Sequence, residues 1–215
     1  MRSKFGEETL ILGDLDEVDW ASLTHAYGDA TDVPGLLRSL LSVDPKAREE
    51  ASYKLFGNVW HQGTVYGASA AVVPFLYGML IAPEVQDKPI IAHLLACIAG
   101  GAGYLEVHAV DPLGESSWRK ILAEQGKSLA GELAREASEV GSVRRAASPS
   151  LRRLLPFLGD DEADIRWSVA TALGRYPEHT PWSLPAIEQA LETEPNEEVR
   201  EALSDSRARL ENHNT

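Results

Sequence analysis

Apolar residues recur at helical spacing along most of the chain. Val33, Leu36, Leu37, Leu40 and Leu41 follow the spacing that places side chains on one face of a helix. Similar apolar stripes start near residues 20, 47, 72, 90, 118, 151, 165, 182 and 199, and most follow Asp, Ser or Pro or end at Gly. The pattern therefore predicts an all-α protein made of consecutive helices.

A short phrase repeats in the first helix of several predicted helix pairs. It reads VPGLL at Val33, VPFLY at Val73, LPFLG at Leu155 and LPAIE at Leu184. The prolines of successive phrases are 40, 82 and 29 residues apart, so the middle gap is close to two periods. Two helices per period of this length are typical of an α-solenoid, in which stacked helix pairs bury one another's apolar faces. The repeat predicts a short α-solenoid of about four to five antiparallel helix pairs.

An arginine also repeats, in the first turn of the second helix of a pair. Arg48, Arg166 and Arg200 each follow an acid-rich turn, in DPKAR, DEADIR and PNEEVR. From this position a guanidinium can reach acids or backbone carbonyls of neighbouring turns. We therefore expect these arginines to form a ladder along one edge of the solenoid rather than to act in catalysis.

The repeats divide the chain into one domain with two tails. Residues 19–210 are predicted to form a single repeat domain, residues 1–18 a tail or short extended segment, and residues 211–215 a frayed tail. Trp20, Leu23 and Tyr27 predict a helix after Asp19, with His25 half-buried on it. Residues 103–149 depart from the pattern: 103–115 predict a long loop, a helix of uncertain end begins at 116, and 140–149 predict a linker.

The segment Trp60–Gly67, WHQGTVYG, is too aromatic and too polar for a simple turn. One interpretation is an internally packed Ω-type loop in which Trp60 and Tyr66 fill the gap between repeats. The other is the wall of a ligand pocket, with His61 as hydrogen-bond donor or base. The ligand-binding candidates are Asn58, Trp60, His61, Gln62, Tyr66 and Tyr104.

The turns of the form D-x-x-[VI]-R and the LPxL helix starts resemble HEAT repeats. WASLTHAYGDATDVPGLLRSL followed by LFGNVWHQGTVYGASAAVVPFL resembles, over about Trp20–Gly101, a group of bacterial HEAT-repeat proteins of unsettled function. The resemblance implies right-handed stacking of antiparallel helix pairs and a concave face lined by the second helices. It also implies recognition of proteins, peptides or, in one branch of alkylpurine DNA glycosylases, damaged DNA.

The charge composition restricts the class of binding partner. The 215 residues include 33 acids and 20 bases, a net charge of −13, which argues against nucleic acid and an anionic membrane but permits a basic protein. The basic residues Arg144, Arg145, Arg152 and Arg153 cluster in one short stretch, which disfavours a DNA glycosylase. No apolar run approaches the ~18–20 residues of a membrane span and no signal peptide is recognised, so we expect a cytoplasmic protein.

Cys97 is the single cysteine of the chain, so no internal disulfide can form. It stands in the apolar run AHLLACIAG, where we expect a buried, inert thiol rather than a nucleophile.

Nucleotide and hydrolase signatures are not found in the sequence: it has no G-x-S-x-G, P-loop or G-x-G-x-x-G. His61, His93 and His108 with Glu106 or Asp111 have the ligand types of a zinc or iron site, but their spacing matches no metal signature. We therefore predict neither a metal nor a cofactor.

The preferred hypothesis is a non-catalytic recognition module. Its acidic concave face and the Trp60–Tyr66 loop hold a protein or peptide, for which the net charge permits a basic surface. The alternative is a lyase, cyclase or hydrolase acting on a small organic molecule in a pocket at the His61 loop. Its catalytic candidates are His61, His93, Glu106, His108 and Asp111, and convergence of the histidines with an acid would favour it.

Overall fold

The computed structural model describes residues 11–109 and 111–213. Residues 1–10 of the predicted N-terminal tail, Val110 of the predicted loop and residues 214–215 of the predicted C-terminal tail lie outside the described residues. The described chain is all-α, apart from two hairpins of two-residue strands.

The hairpins are β1 Thr24–His25 with β2 Gly28–Asp29, and β3 Trp60–His61 with β4 Thr64–Val65. The α-helices are α1 Val33–Ser39, α2 Pro45–Val59, α3 Gly67–Ile81, α4 Lys88–Ala99, α5 Tyr104–His108, α6 Pro112–Glu124, α7 Leu129–Ala147, α8 Ala163–Leu173, α9 Thr180–Thr193 and α10 Glu197–Asn212. A long 3-10 helix spans Ser148–Gly159.

Side-chain caps fix several helix starts. Asp44 accepts from the backbone N–H of Lys46 at 3.0 Å, and Pro45 follows as the first residue of α2, as the sequence predicts. Of the four repeated prolines, Pro34 alone lies at a helix start, that of α1. Pro74, Pro156 and Pro185 lie inside their helices, so in these three pairs the shared phrase marks an interior position of the first helix.

Eight of the helices form four pairs. Helices α2, α4, α8 and α10 contact one another in succession, and each also packs against the preceding helix: α1, α3, the 3-10 helix and α9 respectively. Their shared core includes Leu37, Leu55, Leu76, Leu95 and Leu173. Helix α7 packs across α3, and a second small cluster of Leu105, Leu122 and Leu129 joins α5, α6 and α7. In the described residues, no helix combines the length and apolar character needed to cross a bilayer.

The arginine ladder is confirmed for Arg48 and Arg166, whereas Arg200 donates to the carbonyl of Glu194 at 3.4 Å. The buried Arg48 donates from Nε to Asp87 Oδ2 and from Nη1 to the carbonyl of Ser42 at 3.0 Å. Arg166 binds the carboxylate of Glu194 through two bonds of 2.8 Å, one from Nε and one from Nη2. In both cases an arginine of one helix pair holds the turn of the next pair.

The predicted helix over Trp20–Tyr27 is wrong. Residues Trp20–Ser22 form a single 3-10 turn, and the chain then enters the β1–β2 hairpin. Gly28 pairs with His25 in this hairpin and has φ +132°. The chain before it also packs inward, since Leu15 is fully buried and its carbonyl accepts from Trp20 Nε1 at 2.8 Å.

Residues 103–149 are more regular than the sequence predicts. The predicted long loop contains α5 and the start of α6, and the predicted linker over 140–149 lies in α7 and the 3-10 helix. Gly126, with φ +72°, ends α6, and the N–H of Lys127 donates back to the carbonyl of Leu122 at 2.8 Å. Each of the three helices contributes one leucine to the small cluster, so no single window of the sequence shows that cluster.

Cys97 lies on α4 and is buried against α8, where its thiol is hydrogen-bonded to Ser168. Burial is the main cause that raises the pKa of Cys97 to about 12. The thiol is therefore almost entirely protonated at neutral pH, in agreement with the inert thiol expected from the sequence.

Candidate functional site

The segment Trp60–Tyr66 forms a hairpin rather than an Ω-type loop. Gln62 has φ +51° and Gly63 φ +91°, the positive values that a tight two-residue hairpin turn requires. Ala102 pairs alongside β4 in a parallel bridge with Thr64. Its carbonyl accepts from the N–H of Val65 at 3.1 Å, and its N–H donates to the carbonyl of Gly63 at 2.9 Å. The hairpin is thereby fixed to the chain that follows α4.

This geometry separates the predicted ligand-binding residues. Trp60 packs edge-on against Phe56, with ring centroids 6.3 Å apart, and Gln62 is exposed at the turn. Asn58 is buried and donates to Asp32 at 2.8 Å, a bond that ties the end of α2 to the start of α1. Tyr66 comes directly after the hairpin and lines a cavity that Asn58, Trp60 and Gln62 do not line.

His25 is a buried strand residue, so its predicted place as a half-buried helix residue is wrong. Its Nδ1 accepts from the backbone N–H of Tyr27 at 3.0 Å, which leaves the ring proton on Nε2 to donate to Asp32 at 3.0 Å. Both ring nitrogens are thus occupied, and this His–Asp pair supports the first hairpin rather than serving as a base.

The cavity beside Tyr66 has a volume of about 250 Å³. We call it the tyrosine–glutamate pocket and define it by the aromatic residues Tyr66, Tyr104 and Trp118 and the α7 residues Glu132, Arg135, Glu136 and Glu139. It lies where the second hairpin, α5, α6 and α7 meet. Two of the sequence-predicted residues, Tyr66 and Tyr104, line it.

Aromatic rings form one side of the pocket. Tyr104 and Trp118 are in edge-to-face contact, with centroids 5.3 Å apart, and Tyr104 also contacts the ring of His108 at 4.3 Å. Tyr104 is 40% exposed although it belongs to this cluster. Burial is the main cause that raises the pKa of Tyr66, and neighbouring tyrosine and glutamate side chains raise it further. The hydroxyl of Tyr66 therefore remains protonated.

Glu136 has a structural task within the pocket. It is 7% exposed, and its Oε2 accepts from the N–H of Leu105 at 2.8 Å, which caps the start of α5. A Cβ on Gly103 would lie 2.6 Å from this oxygen, so glycine is required there. Burial raises the pKa of Glu136, although its backbone hydrogen bonds and Arg135 act in the other direction.

Glu132 and Glu139 hold a guanidinium. Arg135 donates from Nε to Glu132 at 3.1 Å and from Nη1 to Glu139 at 2.8 Å. Burial raises the pKa of Glu139, whereas the pKa of Glu132 is lowered by Arg135 and Lys127 in spite of its partial burial. Both side chains are mostly shielded, at 16% and 17% exposed, while that of Arg135 is 48% exposed.

The histidine candidates for catalysis have separate surroundings. His61 contacts the ring of Tyr27 at 5.6 Å, His93 that of Phe56 at 5.0 Å, and His108 that of Tyr104. Burial lowers the pKa of His93.

The two acidic candidates are both helix caps. Glu106 accepts from the N–H of Gly103 at 3.3 Å, and Asp111 accepts from the first N–H groups of α6. No hydrogen bond joins any two of the five catalytic candidates, all of which lie in the described chain. Across residues 11–109 and 111–213, no group of three or more His, Cys, Asp or Glu is placed to hold a metal ion.

Comparison with known proteins adds little to this geometry. No protein-family model and no curated protein sequence matches the chain. Among solved structures, it is similar to the crystal structure of an engineered protein, at 18% sequence identity over 84% of this chain and 79% of that chain, with a TM-score of 0.36. A similarity of this degree does not indicate a function.

Five of the residues that define the pocket are not among the site residues predicted from the sequence: Trp118, Glu132, Arg135, Glu136 and Glu139. A signal was present, because Glu132, Glu136 and Glu139 have the i, i+4, i+7 spacing of one helix face. The sequence alone does not place these glutamates in a site, because it predicts a helix of uncertain end followed by a linker for this segment.

Proposed function

We propose that this protein is a short, right-handed, HEAT-like α-solenoid that recognises a protein or peptide partner by binding a basic side chain in the tyrosine–glutamate pocket. The succession of α2, α4, α8 and α10, each paired with a preceding helix, supports the solenoid. The single buried cysteine suits a cytoplasmic protein.

The observation that carries the proposal is the guanidinium of Arg135, which lies between Glu132 and Glu139. The pocket therefore has the charge and hydrogen-bond acceptors for a cation. Its aromatic side adds ring faces, which attract a cation by a further ~0.5–2 kcal/mol. Because Arg135 is half exposed, a basic side chain of a partner can compete with it for the two carboxylates.

The size of the pocket favours a side chain over a whole small molecule. Its volume of about 250 Å³ falls below the range of roughly 300–1,000 Å³ found for small-molecule sites. It is large enough for a single guanidinium or ammonium group with its stem. The net charge of −13 would in addition attract a basic partner at long range, at a rate that falls with ionic strength.

The test uses Nα-acetyl-arginine amide as probe and its neutral isostere Nα-acetyl-citrulline amide as matched ligand control. In an NMR titration of the ¹⁵N-labelled protein, we expect saturable shifts of the amides of Glu132 and Arg135 with the arginine probe alone. Glu139→Gln should weaken this binding about tenfold, because one charge-assisted hydrogen bond is lost. Arg135→Met should strengthen it, because the internal competitor is removed.

Glu188→Gln is the control variant, since it makes the same charge change at an exposed site on α9 outside the pocket. It should bind the arginine probe as the unchanged protein does. Equal shifts with the citrulline probe, or equal affinity in the Glu139 and Glu188 variants, would contradict the proposal.

A further inference from the structure

A second cavity, of about 340 Å³, has the opposite charge. Three arginines and a histidine line it: Arg144 from α7, Arg175 two residues after the end of α8, and Arg209 and His213 from α10 and the residue after it. We call it the arginine cavity. No aspartate or glutamate is among its described lining residues, although acids outnumber bases in the chain by 33 to 20.

These arginines differ from others of the chain in their partners. Arg38 binds Asp16 at 2.6 Å and Arg166 binds Glu194 at 2.8 Å. Within the described residues, neither Arg175 nor Arg209 forms an ion pair. Arg144 has a long contact of 3.8 Å to Glu178 and lies over the ring of Tyr176 at 5.0 Å. The cavity thus gathers positive charge that the protein leaves largely uncompensated.

Arg175 adds an independent observation. Its Nε is buried and has no hydrogen-bond partner among residues 11–109 and 111–213. An unpaired buried donor costs free energy, and for a charged group the cost is larger. Burial, together with the positive charges of Arg209 and Arg144, lowers the pKa of Arg175, while Glu106 acts in the other direction. An anion bound next to this guanidinium would accept the unused hydrogen bond and offset the surrounding positive charge.

We propose that the arginine cavity binds the phosphate group of a small phosphomonoester. A phosphate carries close to two negative charges at neutral pH and offers three strong acceptor oxygens, which suits several guanidinium groups at once. A carboxylate carries one charge and two oxygens, and would leave more of this positive charge unpaired. The volume of about 340 Å³ has room for the phosphate and a small organic part.

The site is separate from the tyrosine–glutamate pocket, because no residue lines both. It opens at α7, α8 and α10, whereas that pocket lies between α7, α5, α6 and the second hairpin. Phosphate binding and recognition of a basic side chain therefore stand or fall independently.

The test follows ³¹P NMR line broadening of inorganic phosphate and of methyl phosphate as protein is added, at ionic strength held constant with NaCl. We expect saturable broadening of both signals. Arg209→Met should weaken binding by about tenfold or more, since a charge-assisted hydrogen bond is lost from an exposed side chain that folding does not require. Arg175→Met should do the same, and its melting curve shows whether it has folded.

Arg207→Met is the matched control, because Arg207 is exposed on the same helix and contacts Glu211 instead of the cavity. It should bind both probes unchanged. No saturable broadening, equal loss of binding in the Arg207 and Arg209 variants, or displacement by equimolar acetate would each overturn the proposal. Broadening of inorganic phosphate without that of methyl phosphate would exclude a monoester as the ligand.

Discussion

Replacing Arg166 by methionine is expected to lower the free energy of unfolding by about 3–5 kcal/mol. Arg166 binds Glu194 through two hydrogen bonds and the carbonyls of Asp160 and Asp161 at 2.8 and 3.0 Å. The side chain of Glu194 is 3% exposed, so methionine leaves a buried carboxylate without its cation. Because Arg166 joins the turn of one helix pair to the turn of the next, the loss should affect the cooperative unfolding of the whole C-terminal part.

Urea unfolding followed by circular dichroism measures this effect. Arg38→Met is the control, since the exposed pair of Arg38 with Asp16 should contribute no more than about 0–1 kcal/mol. A cost for Arg166→Met within that range would show that the buried pair is not important for stability.

The same pair makes a pH-dependent contribution. The hydrogen bond from Arg166 lowers the pKa of Glu194 below its ordinary value of 4.5. The folded state therefore binds fewer protons than the unfolded state in this range, and the stability from the pair is present above about pH 4.5 and lost as the pH falls further. Part of the acid sensitivity of the protein should disappear in the Arg166 variant.

Replacing Gly101 by alanine is expected to cost about 1–3 kcal/mol and to displace the second hairpin. A Cβ at this position would lie 2.3 Å from Cγ1 of Val65 and 3.2 Å from the carbonyl oxygen of Ile98. Val65 is buried and β-branched, so it has little freedom to move away. Gly101 also precedes Ala102, whose hydrogen bonds fix the hairpin, so the clash should reach Tyr66 in the tyrosine–glutamate pocket.

Gly35→Ala is the matched control for this glycine. Gly35 lies inside α1, and nothing would come within 4 Å of a Cβ placed there. This substitution should stabilise the protein by up to about 1 kcal/mol, because alanine favours helix. In a double-mutant cycle, Val65→Ala should reduce the cost of Gly101→Ala; additive costs would show that the predicted clash does not occur.

Local signals in the sequence predicted those parts of the fold where one short segment decides the structure. The cap and proline at Asp44 and Pro45 fixed the start of α2, and Gly100 marks the end of α4. The arginine ladder was predictable because Arg48 and Arg166 occupy the same place after an acid-rich turn. In each case the interaction depends on residues close in sequence or on a repeated position.

The remaining parts depend on contacts between distant segments. The leucines of α5, α6 and α7 form a cluster only where these three helices meet, so no local pattern within residues 103–149 predicts it. The second hairpin turns locally at Gln62 and Gly63, but the bridge that fixes it joins Thr64 to Ala102, 38 residues further along the chain. The candidate site was found only in part for this reason: the aromatic residues Tyr66 and Tyr104 were chosen, while the glutamates on α7 were not.

The buried thiol of Cys97 gives the protein an internal reporter of its own opening. The chain has no other cysteine, and with a pKa of about 12 and its place between α4 and α8, the thiol can react with an alkylating reagent only when these helices separate. The modification rate therefore measures how often the centre of the molecule is exposed to solvent. A bound partner that holds the helices together would slow it, without any label introduced by mutation.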